Sequence, residues 1–225
     1  MFTINTNISI KESDLTQITR LKSKLLNKEK LSESEITSLL EYVVSTTRKE
    51  LMLSDPNIDI RTSPLTNKCD TASGIASQLP EELGIDTRYL KTQKVISDSV
   101  SGHDFLVANI QNDPYLIDLT YRQFFLKEQC QKERFRSQNG LTYLSPDPGY
   151  YYEVNPEHQI VAKTIIENGY IKLDESVAKI YCDSFYITRR GYITDFSNTS
   201  NISGSVYLSS LINPKNNQNI KTKIK

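Results

Sequence analysis

Hydrophobic residues in the first quarter of the chain recur every three or four positions, the spacing of one helix face. Two such sets lie between residues 11 and 53. Ser32 and Glu35 precede the second set at the spacing of a capping box, in which two residues satisfy each other's backbone N–H groups at a helix start. The pattern predicts two amphipathic helices, and we expect residues 1–55 to form an N-terminal helical segment.

A third helical pattern begins close to Cys69. Pro56 and Pro64 interrupt helicity before it, and Asn67 occupies the position expected for an N-cap. Apolar residues then recur at helical spacing as far as Pro80. The pattern predicts a helix with Cys69 in its first turn.

Strand-like runs follow, rich in β-branched and aromatic residues. HDFLVANI and YLIDLTYRQFF are separated by the turn sequence Gln-Asn-Asp-Pro at 111–114, which predicts an antiparallel hairpin. Further on, one helix is predicted from Pro156 to a stop at Gly169, and another over LDESVAKIYCDSF. We expect an α+β catalytic domain over residues 56–212, with the N-terminal helices packed on it and a loose basic tail at 213–225.

Charge and hydropathy narrow the class of protein. The 27 Lys and Arg balance 27 Asp and Glu, so no overall field attracts nucleic acid, and we expect no nucleic-acid partner. The start MFTINTNISI lacks the basic and apolar regions of a secretory signal peptide, and no apolar run is long enough to span a membrane. Its Ser, Thr, Asn and Ile content is similar to the leaders of contact-dependent bacterial secretion substrates.

The three cysteines are widely spaced, without the pairs or neighbouring histidines of a zinc site or disulfide scaffold. Cys130 and Cys182 therefore fit a surface or core position with no chemical role. With 8 glycines and no phosphate-binding glycine loop in the chain, no cofactor is expected.

Cys69, His103 and Asp118 form the one constellation with the order of a nucleophile, a base and an orienting carboxylate. A helix N-terminus favours a thiolate at Cys69, because its free N–H groups stabilise negative charge. Of the two histidines, His158 fits a solvated position in the first turn of a helix. Spacing alone leaves open whether His103 is catalytic or structural.

The predicted hairpin brings the base and the carboxylate near each other. Residues opposite one another across an antiparallel pair share a face, and His103 can oppose Asp118 directly if the turn is centred between residues 110 and 111. The better turn signal, Asn112-Asp113, lies further along, so the expectation requires a bulge or a longer loop. The backbone N–H of Cys69 and the side chain of Asn67 are candidate oxyanion donors.

The strings NKCDTASGIA, SGHDFLVANI and YLIDLTYRQF resemble a family of bacterial protein-glutamine deamidase toxins and effectors, typified by the C-terminal catalytic domain of the Pasteurella mitogenic toxin. The matching motifs cover about residues 65–126, and a looser similarity continues through 156–185. The resemblance implies a papain-like or transglutaminase-like fold, in which a helix bearing the cysteine packs on an antiparallel sheet.

Carried over by position, the resemblance makes Cys69 the nucleophile, His103 the general base and Asp118 the residue that orients the imidazole. Gln123 resembles a family glutamine near the oxyanion site, although an ordinary polar strand residue fits its position equally well. The implied reaction converts a glutamine of a host protein, such as a heterotrimeric G-protein α subunit, to glutamate.

Two other readings stay open at this point. One is a cysteine protease or a transglutaminase-like acyltransferase, because the same trio serves those reactions. The other is a catalytically silent binding effector. For the deamidase reading, we expect synthesis in a bacterial cytosol and delivery into the host cytoplasm by a specialised system without a signal peptide. A secretion chaperone is then a candidate partner.

Overall fold

The computed structural model describes residues 12–58, 65, 68–96, 99–124, 137–138, 141–142, 156–184, 191–195 and 198–212. Asn67, Cys130 and the predicted tail at 213–225 lie outside these ranges. Within them the chain is α+β, as predicted, with helices packed on an antiparallel sheet.

The two predicted N-terminal helices are present as α1 (Glu12–Leu26) and α2 (Glu33–Ser54). The capping box is confirmed: Ser32 Oγ accepts from the Glu35 backbone N–H, and Glu35 Oε2 accepts from that of Ser32 at 2.9 Å. Arg20 and Lys24 of α1 each reach the other oxygen of Glu35 at 2.7 Å. One carboxylate therefore caps α2 and joins it to α1.

Helix α3 (Cys69–Glu82) begins and ends later than the sequence pattern predicts. Its N-cap is Lys68, so the prediction that Asn67 occupies the N-cap is wrong. The helix also continues past Pro80, which is buried inside its last turn. A proline removes its own N–H bond but not those of its successors, so near a helix end the packing of its ring can hold the last turn together.

Six strands form the main sheet in the order β6-β3-β2-β1-β7-β8, and all neighbours are antiparallel. Their bounds are β1 Asp86–Ile96, β2 Ser99–Ile110, β3 Asp113–Ile117, β6 Tyr170–Lys172, β7 Gly191–Asp195 and β8 Asn198–Ser203. Two short strands, β4 (Ser137–Gln138) and β5 (Leu141–Thr142), pair separately. The long strands β1 and β2 lie at the centre of the sheet.

The predicted hairpin is confirmed as β2 and β3, but its register differs from the expectation. Ile110 pairs with Asp113, so the turn consists of Gln111 and Asn112, with φ angles of 56° and 74°. The direct opposition of His103 and Asp118 is therefore wrong. On the β1 side His103 pairs with residue 92, while Asp118 follows the last residue of β3.

Contacts with the N-terminal helices account for this turn. The side chain of Gln111 accepts from the Leu31 N–H at 3.0 Å and donates to the Glu29 carbonyl at 2.8 Å. These bonds hold Gln111 in a left-handed conformation that its own sequence does not favour. The loop between α1 and α2 thus sets the register of the hairpin.

Three further helices cover the other face of the sheet: α4 (Pro156–Asn168), α5 (Glu175–Ser184) and α6 (Gly204–Ile212). The predicted stop at Gly169 is confirmed, with φ at 81°. Along β2, Phe105 and Val107 pack in a cluster with residues of α4–α6, whereas Leu106 and Ala108 pack with residues of α1–α3. The sheet is therefore the middle of three layers.

The N-terminal helices share a core with the sheet. Leu21 of α1 and Leu39 of α2 belong to the same buried cluster as Leu106 and Ile117. The expected boundary near residue 55 thus does not divide the hydrophobic core. No helix among the described residues is long and apolar enough to cross a membrane.

Candidate active site

His103 lies on β2 with only 3% of its surface exposed. Its Nε2 is 2.6 Å from Oδ2 of Asp118, so the two predicted partners are in contact despite the shifted register. Asp118 reaches this position from just beyond β3, where its backbone N–H donates to the Gly169 carbonyl at 2.9 Å. The chain leaves the sheet at the point where the carboxylate can face the imidazole.

Four donors fix the Asp118 carboxylate. Oδ1 accepts from the backbone N–H of Thr120 at 3.0 Å and from its hydroxyl at 3.2 Å. Oδ2 accepts from the Tyr181 hydroxyl at 2.7 Å in addition to the His103 contact. A carboxylate held on both oxygens orients the imidazole and selects its tautomer: Nε2–H faces Asp118, which leaves Nδ1 for another partner.

Cys69 is the first residue of α3, and its thiol is half-buried. Burial raises the pKa of the Cys69 thiol, but a hydrogen bond with the His103 side chain, a bond from the Asp104 backbone and the charge of His103 together bring it below the ordinary value. Asp118 occupies Nε2, and the imidazole lies near enough to the thiol to lower the pKa of Cys69. His103 therefore lies beside both the predicted nucleophile and the predicted orienting carboxylate.

The pKa of the imidazole is shifted in the opposite direction to that of the thiol. Burial lowers the pKa of His103, but the charge and hydrogen bond of Asp118, followed by those of Cys69, raise it to about 9. A thiol with a lowered pKa beside an imidazole with a raised pKa favours the thiolate–imidazolium pair over the neutral pair. Such a pair is the reactive form of a cysteine nucleophile.

Gln123 lies in a 3₁₀ turn (Tyr121–Phe124), so its reading as an ordinary strand residue is wrong. Its amide Nε2 is 3.1 Å from Nδ1 of His103. An amide can present nitrogen to a neutral Nδ1 or oxygen to a protonated one, so the contact suits both forms of the imidazole. Its role toward an oxyanion stays a prediction.

The backbone N–H of Cys69, at the start of α3, is another predicted oxyanion donor. Lys68, the N-cap, makes no capping bond with its side chain, which instead pairs with Asp55 at 3.1 Å. The first N–H groups of a helix have no partner within it. Asn67, the competing side-chain candidate, lies outside the described residues.

Sequence reasoning missed a second carboxylate beside the thiol. Cys69 Sγ donates to Oδ2 of Asp104 at 3.8 Å, and Lys91 Nζ lies 3.6 Å from Oδ1. Burial raises the pKa of Asp104, and the nearby charges of Lys91 and His103 oppose that rise. The available signal was a charged residue at the start of the apolar run FLVA, directly after His103.

Thr120 and Tyr181 were also missed as site residues. The Asp-x-Thr pattern at 118–120 could have indicated Thr120, since an aspartate often bonds the backbone two residues on. Tyr181 carries no such local signal, because it lies 63 residues from Asp118. His158 lies in the first turn of α4, as predicted, and Cys182 lies in α5.

Within the ranges that the structure describes, no three His, Cys, Asp or Glu side chains are arranged to hold a metal ion. Comparison of the chain with protein-family models, curated proteins and solved structures gave no match. What the arrangement can do chemically follows from its parts: a thiol of lowered pKa, a buried base that can return a proton, and backbone donors at a helix start.

Proposed function

We propose that the protein is a cysteine-dependent hydrolase that deamidates protein glutamine, on a papain-like or transglutaminase-like scaffold. The observation that carries the proposal is His103, which is buried, has Nε2 2.6 Å from the fixed Asp118 carboxylate, and acts on the Cys69 thiol to lower its pKa. A thiol and a base arranged in this way serve nucleophilic attack on a carbonyl carbon.

The Cys69 thiolate attacks the carboxamide carbon and forms a C–S bond, while the carbonyl oxygen takes the negative charge and lies against the N–H groups at the start of α3. The imidazolium of His103 gives its proton to the amide nitrogen, and ammonia leaves as the C–N bond breaks. A thioester remains on Cys69.

Water then completes the reaction. His103, now neutral, takes a proton from water as its oxygen attacks the thioester carbon. The C–S bond breaks, Cys69 returns to the thiolate and His103 keeps the proton taken from water. The product is a glutamic acid side chain, which releases its remaining proton to solvent and becomes glutamate. Asp118 holds the imidazole through both steps and stabilises its charged form.

The substrate assignment rests on the resemblance of three strings, NKCDTASGIA, SGHDFLVANI and YLIDLTYRQF, to glutamine-deamidating toxins and effectors. A G-protein α subunit is a suitable target, because it uses a glutamine to orient the water that hydrolyses GTP. Conversion of that glutamine to glutamate keeps the subunit in its GTP-bound state. Delivery into a host cell, and a chaperone before delivery, belong to the same proposal.

The experiment incubates the protein with purified Gα subunits and maps the products by mass spectrometry, with ammonia release measured in parallel. We expect Gln-to-Glu conversion that is absent with Cys69→Ala and with His103→Ala. His158→Ala is the matched histidine control and retains the activity.

The other outcomes separate the alternatives. Cleavage of the target indicates a protease, and linkage of its glutamine to a lysine indicates an acyltransferase. If the folded protein binds a target without any covalent change, the proposal of an enzyme is wrong and a binding effector takes its place.

A further inference from the structure

Asp104 is a second carboxylate beside the nucleophile, on the residue after the base. It is 3% exposed, and its Oδ2 accepts from Cys69 Sγ at 3.8 Å. Aspartate is almost never this buried unless it is paired. Among the residues that the structure describes, Oδ1 has no hydrogen-bond partner, since Lys91 Nζ lies 3.6 Å away and forms only an ion pair.

In this position the charge of Asp104 makes Cys69 a weaker nucleophile. A negative charge next to Sγ disfavours the thiolate and would also disfavour an oxyanion on the same side. The chemistry described above uses Cys69, His103 and Asp118 and gives Asp104 no part. A buried carboxylate that disfavours the negative charge of the nucleophile is therefore suited to accept a hydrogen bond from the substrate.

We propose that Asp104 selects a carboxamide at Cys69, by accepting a hydrogen bond from the –NH2 group of the substrate and by repelling a carboxylate. This inference rests on the proposed deamidase function. Oδ2 lies 3.8 Å from Sγ, so it faces the carbon that sulfur attacks, and sulfur offers it no donor either as a thiolate or once it is bonded to carbon. The amide nitrogen is attached to that carbon and carries two N–H donors, whereas a carboxylate or an ester oxygen carries none.

The same contact orients the substrate. With nitrogen toward Asp104, the carbonyl oxygen turns away from the carboxylate and toward the N–H groups at the start of α3. After hydrolysis a negatively charged glutamate side chain faces Asp104, and the repulsion favours its release. Lys91 Nζ lies 3.6 Å from the other carboxylate oxygen and partly offsets the negative charge of Asp104.

The test compares two alkylating reagents of nearly equal size, iodoacetamide and iodoacetate, which react with Cys69 by forming a C–S bond and releasing iodide. Their rates on Cys69 are measured by peptide mass mapping in the wild type and in Asp104→Asn. We expect the ratio of amide to acid rates to fall about tenfold in Asp104→Asn, because the charge lies so close to sulfur. Any change in the thiolate fraction affects both reagents equally and leaves the ratio unaltered.

Asp70→Asn is the matched control, since Asp70 is an exposed carboxylate on the residue after Cys69. Water and salt screen it, so its removal changes the ratio by less than about twofold. If Asp104→Asn does not fold, Lys91→Gln tests the same idea with the opposite sign, because removing the ammonium strengthens the field of Asp104 and raises the ratio. A ratio that stays the same in a folded Asp104→Asn, or that does not rise in Lys91→Gln, overturns the inference.

A substrate measurement separates this inference from the function on which it rests. On a glutamine peptide, Asp104→Asn lowers kcat/KM by about tenfold or more, while hydrolysis of the matching γ-methyl ester does not fall. An equal loss on both substrates indicates a structural role and overturns the inference. If the wild type deamidates nothing but the reagent ratio still falls in Asp104→Asn, the deamidase proposal fails alone.

Discussion

The Tyr181 hydroxyl donates a hydrogen bond of 2.7 Å to Oδ2 of Asp118, the same oxygen that lies 2.6 Å from Nε2 of His103. Tyr181 belongs to α5 and is fully buried, with its ring 4.9 Å from that of Phe105 and 5.2 Å from that of Tyr121. The hydrophobic core on this face of the sheet therefore extends directly into the candidate active site.

Replacing Tyr181 with phenylalanine removes one donor from Asp118 and keeps the packing of the ring. We expect the free energy of unfolding, measured with urea, to fall by about 1–2 kcal/mol, because a buried charge-assisted hydrogen bond is lost. Alkylation of Cys69 at neutral pH should slow by about threefold to tenfold, since the imidazole is held less firmly.

Tyr115→Phe is the matched control for this prediction. Tyr115 is a half-buried tyrosine of β3 that packs against the hydrophobic cluster on the opposite face of the sheet. Its replacement leaves the alkylation rate of Cys69 unchanged. Equal rates in Tyr181→Phe and the wild type would show that Tyr181 is only a core residue.

Gly169 has a backbone conformation and surroundings that exclude a side chain. Its φ is 81°, and a Cβ there would lie 2.9 Å from Cγ1 of Val44. Its carbonyl also accepts the backbone N–H of Asp118. We expect Gly169→Ala to lower the free energy of unfolding by about 1–3 kcal/mol and to slow alkylation of Cys69 through the displaced carboxylate.

Gly74→Ala is the comparison for the same substitution without these constraints. Gly74 lies inside α3, and a Cβ there meets nothing within 4 Å. Alanine is a better helix former than glycine, so the free energy of unfolding of this variant should rise by about 0.5–1 kcal/mol. A Gly169→Ala variant as stable as the wild type would contradict the close approach of α2 to this turn.

The pH dependence of stability should reveal the thiolate–imidazolium pair. The pKa of His103 is raised from 6.5 to about 9, so its stabilisation is complete below the lower value and is lost as the pH rises through the upper one. The pKa of Cys69 is lowered from 9.0, so its contribution is present above that value and is lost as the pH falls through the pKa of the folded state. Above the pKa of Cys69 in the folded state and below pH 9, the two slopes oppose each other.

Removal of the thiol leaves only the slope that is due to His103. We therefore predict that the free energy of unfolding of Cys69→Ala, measured with urea, declines from pH 6.5 towards pH 9 more steeply than that of the wild type. Groups other than His103 titrate alike in both proteins and cancel in the comparison. Parallel curves would show that no proton is shared between Cys69 and His103.

The helices were predictable because their signals are local. The periodicity of the apolar residues, the capping pair Ser32 and Glu35, and the stop at Gly169 all lie within a few residues of the boundaries that they set. The strand β1 was missed, because DTRYLKTQK carries too many polar residues to look like a strand. It becomes one through pairing with β2 and β7 on either side.

The register of the hairpin was not predictable from the hairpin itself. Gln111 is a poor residue for a left-handed turn, and it holds that position through bonds to Leu31 and Glu29, some 80 residues earlier in the chain. Local turn preference favoured Asn112-Asp113 instead. The predicted contact between His103 and Asp118 is present although the predicted register was wrong, because the chain leaves the sheet after Ile117.

Chemistry in the sequence indicated three members of the candidate site but not their surroundings. Cys69, His103 and Asp118 stand out by residue type and order, whereas Asp104 and Tyr181 resemble ordinary strand and core residues until the chain folds. Their roles depend on distances between segments far apart in the chain, and one sequence carries no information on those distances.

The central claim is that Cys69 is a thiolate paired with His103. Its most direct test measures the iodoacetamide alkylation rate of each cysteine against pH, by peptide mass mapping of the wild type and His103→Ala. We predict that Cys69 reacts faster than Cys130 and Cys182, with a midpoint below that of an ordinary thiol, and that His103→Ala moves this midpoint up. If Cys69 reacts no faster than the other two, and with an unaltered midpoint in His103→Ala, the claim is wrong.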